Sequence, residues 1–286
     1  MRGFSPFYHH QSSIEMTAKE NVVYFYDIKY KQQSDIAVPI KSISFKKRLY
    51  EVTDDAGKIV CPNHLEHVFR GFEGKFSEFR GRLERKAFFE DNYRTNCFLD
   101  GEEKRFWLTY ILVQMLRDPF LLEEVESAIK EYWKDDVDDI KARNAARALC
   151  LPFFGEISSD SPEAMVFNSV LDRMLSMSFS VGVDLSGYLI TSDRAYYAQA
   201  DTMPFEECER IIFPVTSKIC LILHGGKKKK RTRKNYLFPI DDTTRKEIFC
   251  SIAYAASEKI YANHKLCEDE LKMLEMVSCD RIIDGI

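Results

Sequence analysis

Two acids on one helical face are the first candidates for chemistry. Asn63, Glu66, Arg70 and Glu73 follow one another at intervals of three, four and three residues. On a helix that spacing lays them along one line, with Glu66 and Glu73 nearly over each other. Two stacked carboxylates can hold a hard divalent cation through oxygen, or act as acid and base. The commoner meaning of the pattern is a surface ion pair between Arg70 and Glu73. Gln114 and Arg117 form a second pair, three residues apart on one face of an apolar helix. A guanidinium held away from bulk water needs a carboxylate or an anionic ligand, because an unpaired buried charge is very costly. An internal salt bridge and a bound anion both meet that need. Ser192 and Asp193 close an apolar segment, YLIT, where a functional acid is often found. The same dipeptide also makes turns and caps helices.

A different kind of candidate lies later in the chain. Residues 227–234 read KKKKRTRK, which is Lys227, Lys228, Lys229, Lys230, Arg231, Arg233 and Lys234, seven cations in eight positions. Such a run can contact several phosphates and make binding steeply salt-dependent. No aromatic is interleaved before Tyr236, so a base-stacking platform is not implied. The alternative is a solvated loop. The 286 residues include 41 basic and 45 acidic ones, a net charge of -4; without the run 34 basic residues remain, a net of -11. An acidic body therefore carries one concentrated cationic segment.

Histidine and cysteine offer less. His64 and His67 have a spacing that permits joint metal ligation, but no third soft ligand stands near them. His9 and His10 lie among polar residues near the start. The DDVDD at 135–139 lacks calcium-loop spacing and reads as a solvated connection with a helix start at Asp138 or Asp139. The eight cysteines form no CxxC pair, which favours reduced, buried thiols and a cytoplasmic protein. Hydrophobic residues at 45% and charged residues at 30% exclude collagen-like, low-complexity and wholly disordered chains. No apolar run approaches the roughly 18 residues a membrane span needs, so no membrane partner is expected.

The elements that must position these residues follow from periodicity. VVYFYDIK at 22–29 reads as a strand, with two more at 36–40 and 43–52. After Pro62 a long helix carries Leu65, Phe69, Phe72, Phe76, Phe79 and Leu83 on one continuous stripe. Residues 102–118 form a helix apolar almost all round, which belongs at the centre of a domain. Pro119 opens the next helix, to about Trp133, and 138–150 and 162–177 supply two more. From 178 the runs FSVGV, YLIT, RIIFPV and ICLIL read as strands, with the basic segment in the connection before NYLFPI. Two closing helices are expected at about 243–264 and 266–277. Strands and helices come in blocks without βαβ alternation, so the expected class is α+β. One integrated domain over 1–286 is expected: β-rich at 20–55, a helical bundle at 62–177, antiparallel strands at 178–240 and helices at 243–277.

These pieces, in this order, resemble the family known as domain of unknown function 4238, over nearly the whole chain. MRGFS resembles the end of the family's opening motif, HHxVPQxYLxxFS, and VVYFYDIK and ISFKKRLYEV the strands that follow it. NHLEHVFRGFEGKF at 63–76 resembles its Asn-x-x-Glu helix with a second Glu seven residues on. VQMLRDP at 113–119 resembles its Gln-x-x-Arg-x-Pro segment. YLITSDRA at 188–195 resembles its Ser-Asp-Asn-Pro turn, FPVTSKICLIL at 213–223 its next strand, and AYAASEKIYA at 253–262 its closing helix. Two departures stand out. The His-His-Val-Pro-Gln stretch is lacking, and Arg194 and Ala195 stand where the family's turn has Asn and Pro. The resemblance implies that Glu66, Glu73, Gln114, Arg117 and Asp193 form one cluster; it implies no reaction.

Acids and cations together suggest a nuclease or nucleotide-processing enzyme in a prokaryotic defence or mobile-element setting. Glu66, Glu73 and Asp193 are then expected to hold Mg²⁺ or Mn²⁺, Arg117 to stabilise a phosphate, and the basic run to bind nucleic acid. The rival expectation is a non-catalytic nucleic-acid- or protein-binding module whose polar cluster is a structural salt-bridge network.

Overall fold

A computed structural model describes residues 22–39, 52–54, 56, 58–60, 64–89, 98–116, 118–133, 138–148, 162–199, 208–225 and 235–283. In chain order the elements begin with strands β1 (Val22–Asp27), β2 (Gln32–Gln33), β3 (Val38–Pro39), β4 (Val52–Thr53) and β5 (Ile59–Val60). Helices α1 (His64–Phe89), α2 (Gly101–Leu116), α3 (Pro119–Trp133), α4 (Asp139–Ala148) and α5 (Pro162–Ser176) follow. Next come strands β6 (Ser178–Val183), β7 (Thr191–Ser192), β8 (Tyr197–Gln199), β9 (Arg210–Pro214), β10 (Ile219–His224) and β11 (Asn235–Pro239). Helix α6 (Asp242–Ala255), strand β12 (Lys259–Ala262) and helix α7 (Glu268–Ile283) close the order. The class is α+β, as expected.

The chain divides into two compact units, one built mainly from Phe45–Glu78 and Lys104–Leu175, the other from His10–Ser44, Phe79–Glu103 and Ser176–Ile286. In the first unit α2 supplies the core. Trp107, Leu108, Tyr110, Ile111 and Leu112 are all at most 1% exposed, the burial that an all-round apolar helix requires. Phe76 of α1 packs its ring on Trp107 at 5.5 Å and on Tyr110 at 4.5 Å. Pro119 and Pro162 each open a helix, where a missing N–H costs nothing. A short β4–β5 ribbon is clasped by Asn144 of α4, whose amide donates to the Thr53 carbonyl and accepts from the Thr53 N–H.

The second unit holds two sheets. One runs β2-β1-β12-β7 with β3 also on β1; the other runs β11-β6-β10-β9-β8. Among the described residues the strand pairs of both sheets are antiparallel except β11 on β6, which is parallel. The core lies around α6, where Ile248, Phe249 and Ile252 meet Ile212, Ile260, Leu274 and Val277. The late part of α1, from Phe79, belongs to this unit, and Phe79 and Leu83 on it are buried, continuing the predicted stripe.

The sequence expectations need correction at the C-terminal end. The helix expected at 243–264 stops at Ala255, and the AYAASEKIYA segment is a helix end followed by strand β12. Lys259–Ala262 is drawn into the sheet because it has a strand on each side, β1 and β7. That pairing outweighs local helical preference. Of YLIT only Thr191 lies in a strand, and β8 lies in a stretch for which no strand was expected. The expected strand at 43–52 falls outside the described residues except for Val52.

Candidate functional site

Helix α2 carries Gln114, the first residue of the Gln-x-x-Arg pair, and its start is secured by reciprocal capping. Glu103 N–H donates to Asp100 Oδ1 at 2.8 Å, and Asp100 N–H donates to Glu103 Oε2 at 3.0 Å. Lys86 Nζ donates to the same Glu103 carboxylate, which is 3% exposed, and so neutralises it. Between three and four turns of helix follow, buried at every position but the exposed Arg105 and the half-buried Leu116. Gln114 sits in the last of them, 3% exposed, and among the described residues its Oε1 has no hydrogen-bond partner. Trp107 Nε1 and Thr109 Oγ1 on the same helix are likewise buried and without a hydrogen-bond partner among the described residues. Buried polar atoms are nearly always satisfied, so three such atoms on one helix call for a reason.

Of the other expected site residues, Arg117, the side chains of Glu66 and Glu73, and Lys227 to Lys234 lie outside the described residues. The side chains of His64 and His67, and His9 and His10, also lie outside them.

Asp193 is described, and its carboxylate works inside the fold. Oδ1 accepts from Ser257 N–H at 2.8 Å and Oδ2 from Glu258 N–H at 2.6 Å. Asp193 N–H in turn donates to the Lys259 carbonyl at 3.0 Å. The residue thus clamps the end of β7 to the start of β12. Ser192, beside it, is fully buried, and its Oγ has no partner among the described residues. Asp138 caps α4, accepting the Lys141 N–H at 2.8 Å. That hydrogen bond holds its carboxyl below the usual range.

Two polar centres of the second unit were not legible from spacing. Asp184, fully buried, accepts from Ser186 N–H and Oγ, from Tyr188 N–H, and from Arg245 Nε at 3.1 Å and Nη2 at 3.2 Å. Burial alone would raise its carboxyl; the Ser186 and Arg245 bonds outweigh that and hold it below the usual range. Glu270 of α7 receives His264 and the Cys267 N–H. Burial again pulls upward, and these bonds hold the carboxyl down. Cys208 and Cys220 are poor nucleophiles, because burial pushes their thiols up to about 11 and about 12. Among the described residues no group of three or more His, Cys, Asp and Glu gathers to hold a metal ion. No described helix is long and apolar enough to cross a membrane.

The sequence pattern of the family described as "Protein of unknown function (DUF4238)" matches residues 2–265. The chain belongs to that family. No curated protein and no solved structure matches it. The DUF4238 match embraces Glu66, Glu73, Gln114, Arg117, Asp193 and the basic segment, and it stops short of α7.

Proposed function

We propose that this DUF4238 protein hydrolyses a phosphodiester in nucleic acid or a nucleotide with the help of Mg²⁺ or Mn²⁺. In this reading the site draws on α1, α2 and Arg117, which follows α2 in the chain. Glu66 and Glu73 hold the cation, Gln114 Oε1 is a further oxygen donor to it, and Arg117 neutralises the phosphate. The basic segment 227–234 adds non-specific phosphate contacts. The observation that carries the reading is Gln114, a buried amide oxygen with no described partner, inside a family motif. An acceptor in that state is unfavourable in the empty protein and favourable once a cation or donor arrives. Packing supports the pairing of the two helices: Phe76 is one turn beyond Glu73, and Tyr110, whose ring it meets, is one turn before Gln114. Asp193 is not carried into the ligand set, because backbone N–H groups already engage both its oxygens.

The test is cleavage of labelled DNA and RNA by the full chain, with Mg²⁺, Mn²⁺ or a chelator. Metal-dependent cleavage that Glu73→Gln abolishes without lowering the melting temperature is expected. Absence of cleavage together with absence of Mn²⁺ binding by folded protein would overturn the proposal.

The alternative, a non-catalytic binding module, is favoured by Asp193, a motif acid used entirely within the fold. It expects Glu73→Gln to lower the melting temperature substantially and to change no activity.

A further inference from the structure

The Asp184–Tyr188 turn and the first turn of α7 are joined through one imidazole. His264 Nδ1 lies 3.0 Å from Asn263 Oδ1, and Nε2 lies 3.0 Å and 3.2 Å from the two oxygens of Glu270. The Asn263 amide is oriented independently, because its Nδ2 donates to the Gly187 carbonyl at 3.0 Å. The flipped amide would set its oxygen against that carbonyl. Glu270 is likewise held, accepting the Cys267 N–H at 2.8 Å. Both ring nitrogens therefore face acceptors, and only an imidazolium carries a proton on each.

We propose that His264 is a pH-operated latch: doubly protonated it ties the Asp184–Tyr188 turn to α7, and loss of one proton unties it. The proton leaves to solvent, to which the side chain is 20% exposed. The remaining N–H stays with the carboxylate, the stronger acceptor. Nδ1 then presents a lone pair to Asn263 Oδ1, and the amide rotates half a turn so that Nδ2 donates to Nδ1 instead. That rotation removes the donor from the Gly187 carbonyl and releases the turn from Asn263, while its internal bonds to Asp184 remain. The turn bears Leu185 and Tyr188, exposed at 72% and 49%, so the latch governs how an apolar and a phenolic side chain are presented.

Lys265 follows the histidine directly in the chain. Glu270 faces the imidazole from α7 and Tyr188 from the turn, with ring centroids 4.7 Å apart. Behind Tyr188 lies the Asp184–Arg245 pair, and Cys267 adjoins Glu270. Asp184 and Glu270 are both held below the usual carboxylate range, so neither takes up a proton where histidine changes charge, about pH 5 to 8.

The test is NMR of the full chain from pH 5.5 to 8. The Asn263 side-chain amide and the Gly187 and Tyr188 backbone signals are expected to move together with the His264 ring, whose two nitrogens are both protonated at the acid end. In Asn263→Ala, which keeps the imidazole, the co-titration of Gly187 and Tyr188 is lost; in Tyr188→Phe and Cys267→Ser it is retained. A His264 ring that titrates while the Asn263 amide stays still in the wild-type chain overturns the latch. So does undiminished co-titration in Asn263→Ala. If that variant does not fold, the wild-type titration alone decides.

Discussion

Replacing Gln114 with Met separates the functional from the structural reading of α2. Met matches glutamine closely in length and volume, so the buried position stays filled. The change discards an amide oxygen that is buried, on a residue 3% exposed, with no partner among the described residues. A buried acceptor left unmade costs about 1–3 kcal/mol, which the apolar side chain returns. Any bond made by the amide nitrogen is lost, at about 0.5–1.5 kcal/mol. The balance runs from a loss of about 0.5 kcal/mol to a stabilisation of about 2.5 kcal/mol. At about 2–4 °C per kcal/mol for a chain of this size, the melting temperature should hold or rise by several degrees. The assay is a thermal melt of both proteins with and without Mn²⁺, beside the cleavage reaction. The wild type should be stabilised by the metal and the variant should not, and cleavage should fall at least about tenfold, since one oxygen donor is worth at least one factor of ten. A destabilisation beyond about 2 kcal/mol would refute the reasoning, because it would mean that the oxygen is part of a satisfied structural network.

Two further outcomes are expected in the second unit. Asp184→Asn should cost about 3 kcal/mol in urea unfolding; the value sits at the low end for a buried pair because Arg245 is 25% exposed and keeps Asp242 at 2.7 Å. Asp184's carboxyl is held low in the fold, so its contribution is complete above the unfolded value of about 3.9 and is lost as pH falls through the folded one. The wild type should therefore lose stability below about pH 4 faster than the variant, and parallel curves would count against the pairing. Ala195→Pro supplies the residue found in the turn that YLITSDRA resembles but should cost about 3 kcal/mol or more, since Ala195 has φ 59 and its N–H donates to the Ser192 carbonyl. An unchanged melting temperature would show that the turn can adopt another shape.

Helices were legible because their signals are local and repeated. The stripe ending in Phe76, Phe79 and Leu83 is buried where it is described, and the all-round apolar run became the core helix α2. Pro119 and Pro162 marked their helix starts because ring geometry alone suits the first turn. Strand β12 was misread because KIYA becomes a strand only through its partners β1 and β7, which lie far off in sequence. The same holds for the parallel placement of β11 on β6. Asp184 and Arg245 are 61 positions apart, so no window of sequence could pair them. Asp193 was recognised as a candidate acid or a turn residue, and only its contacts with Ser257 and Glu258 separate those uses.

The turn after Ser192 bears on where shared chemistry could reside. In the motif that YLITSDRA resembles, proline occupies the position of Ala195, and proline requires φ near −65°. Ala195 is at φ 59, a left-handed conformation proline cannot take. The backbone that follows Asp193 here therefore differs from the one such a proline would build. Catalysis tolerates little displacement of its groups. An acid presented from a re-shaped turn, with both oxygens bound to Ser257 and Glu258, is poorly suited to a common reaction. The VQMLRDP segment makes no such departure: Gln114 stands three residues before Arg117 and five before Pro119, as in the motif it resembles, and its oxygen is not engaged by any described group. A buried polar atom with no described partner, on a segment that keeps the spacing of the motif it resembles, is a stronger place to look for function than an acid that the fold already uses in a turn that departs from the one it resembles.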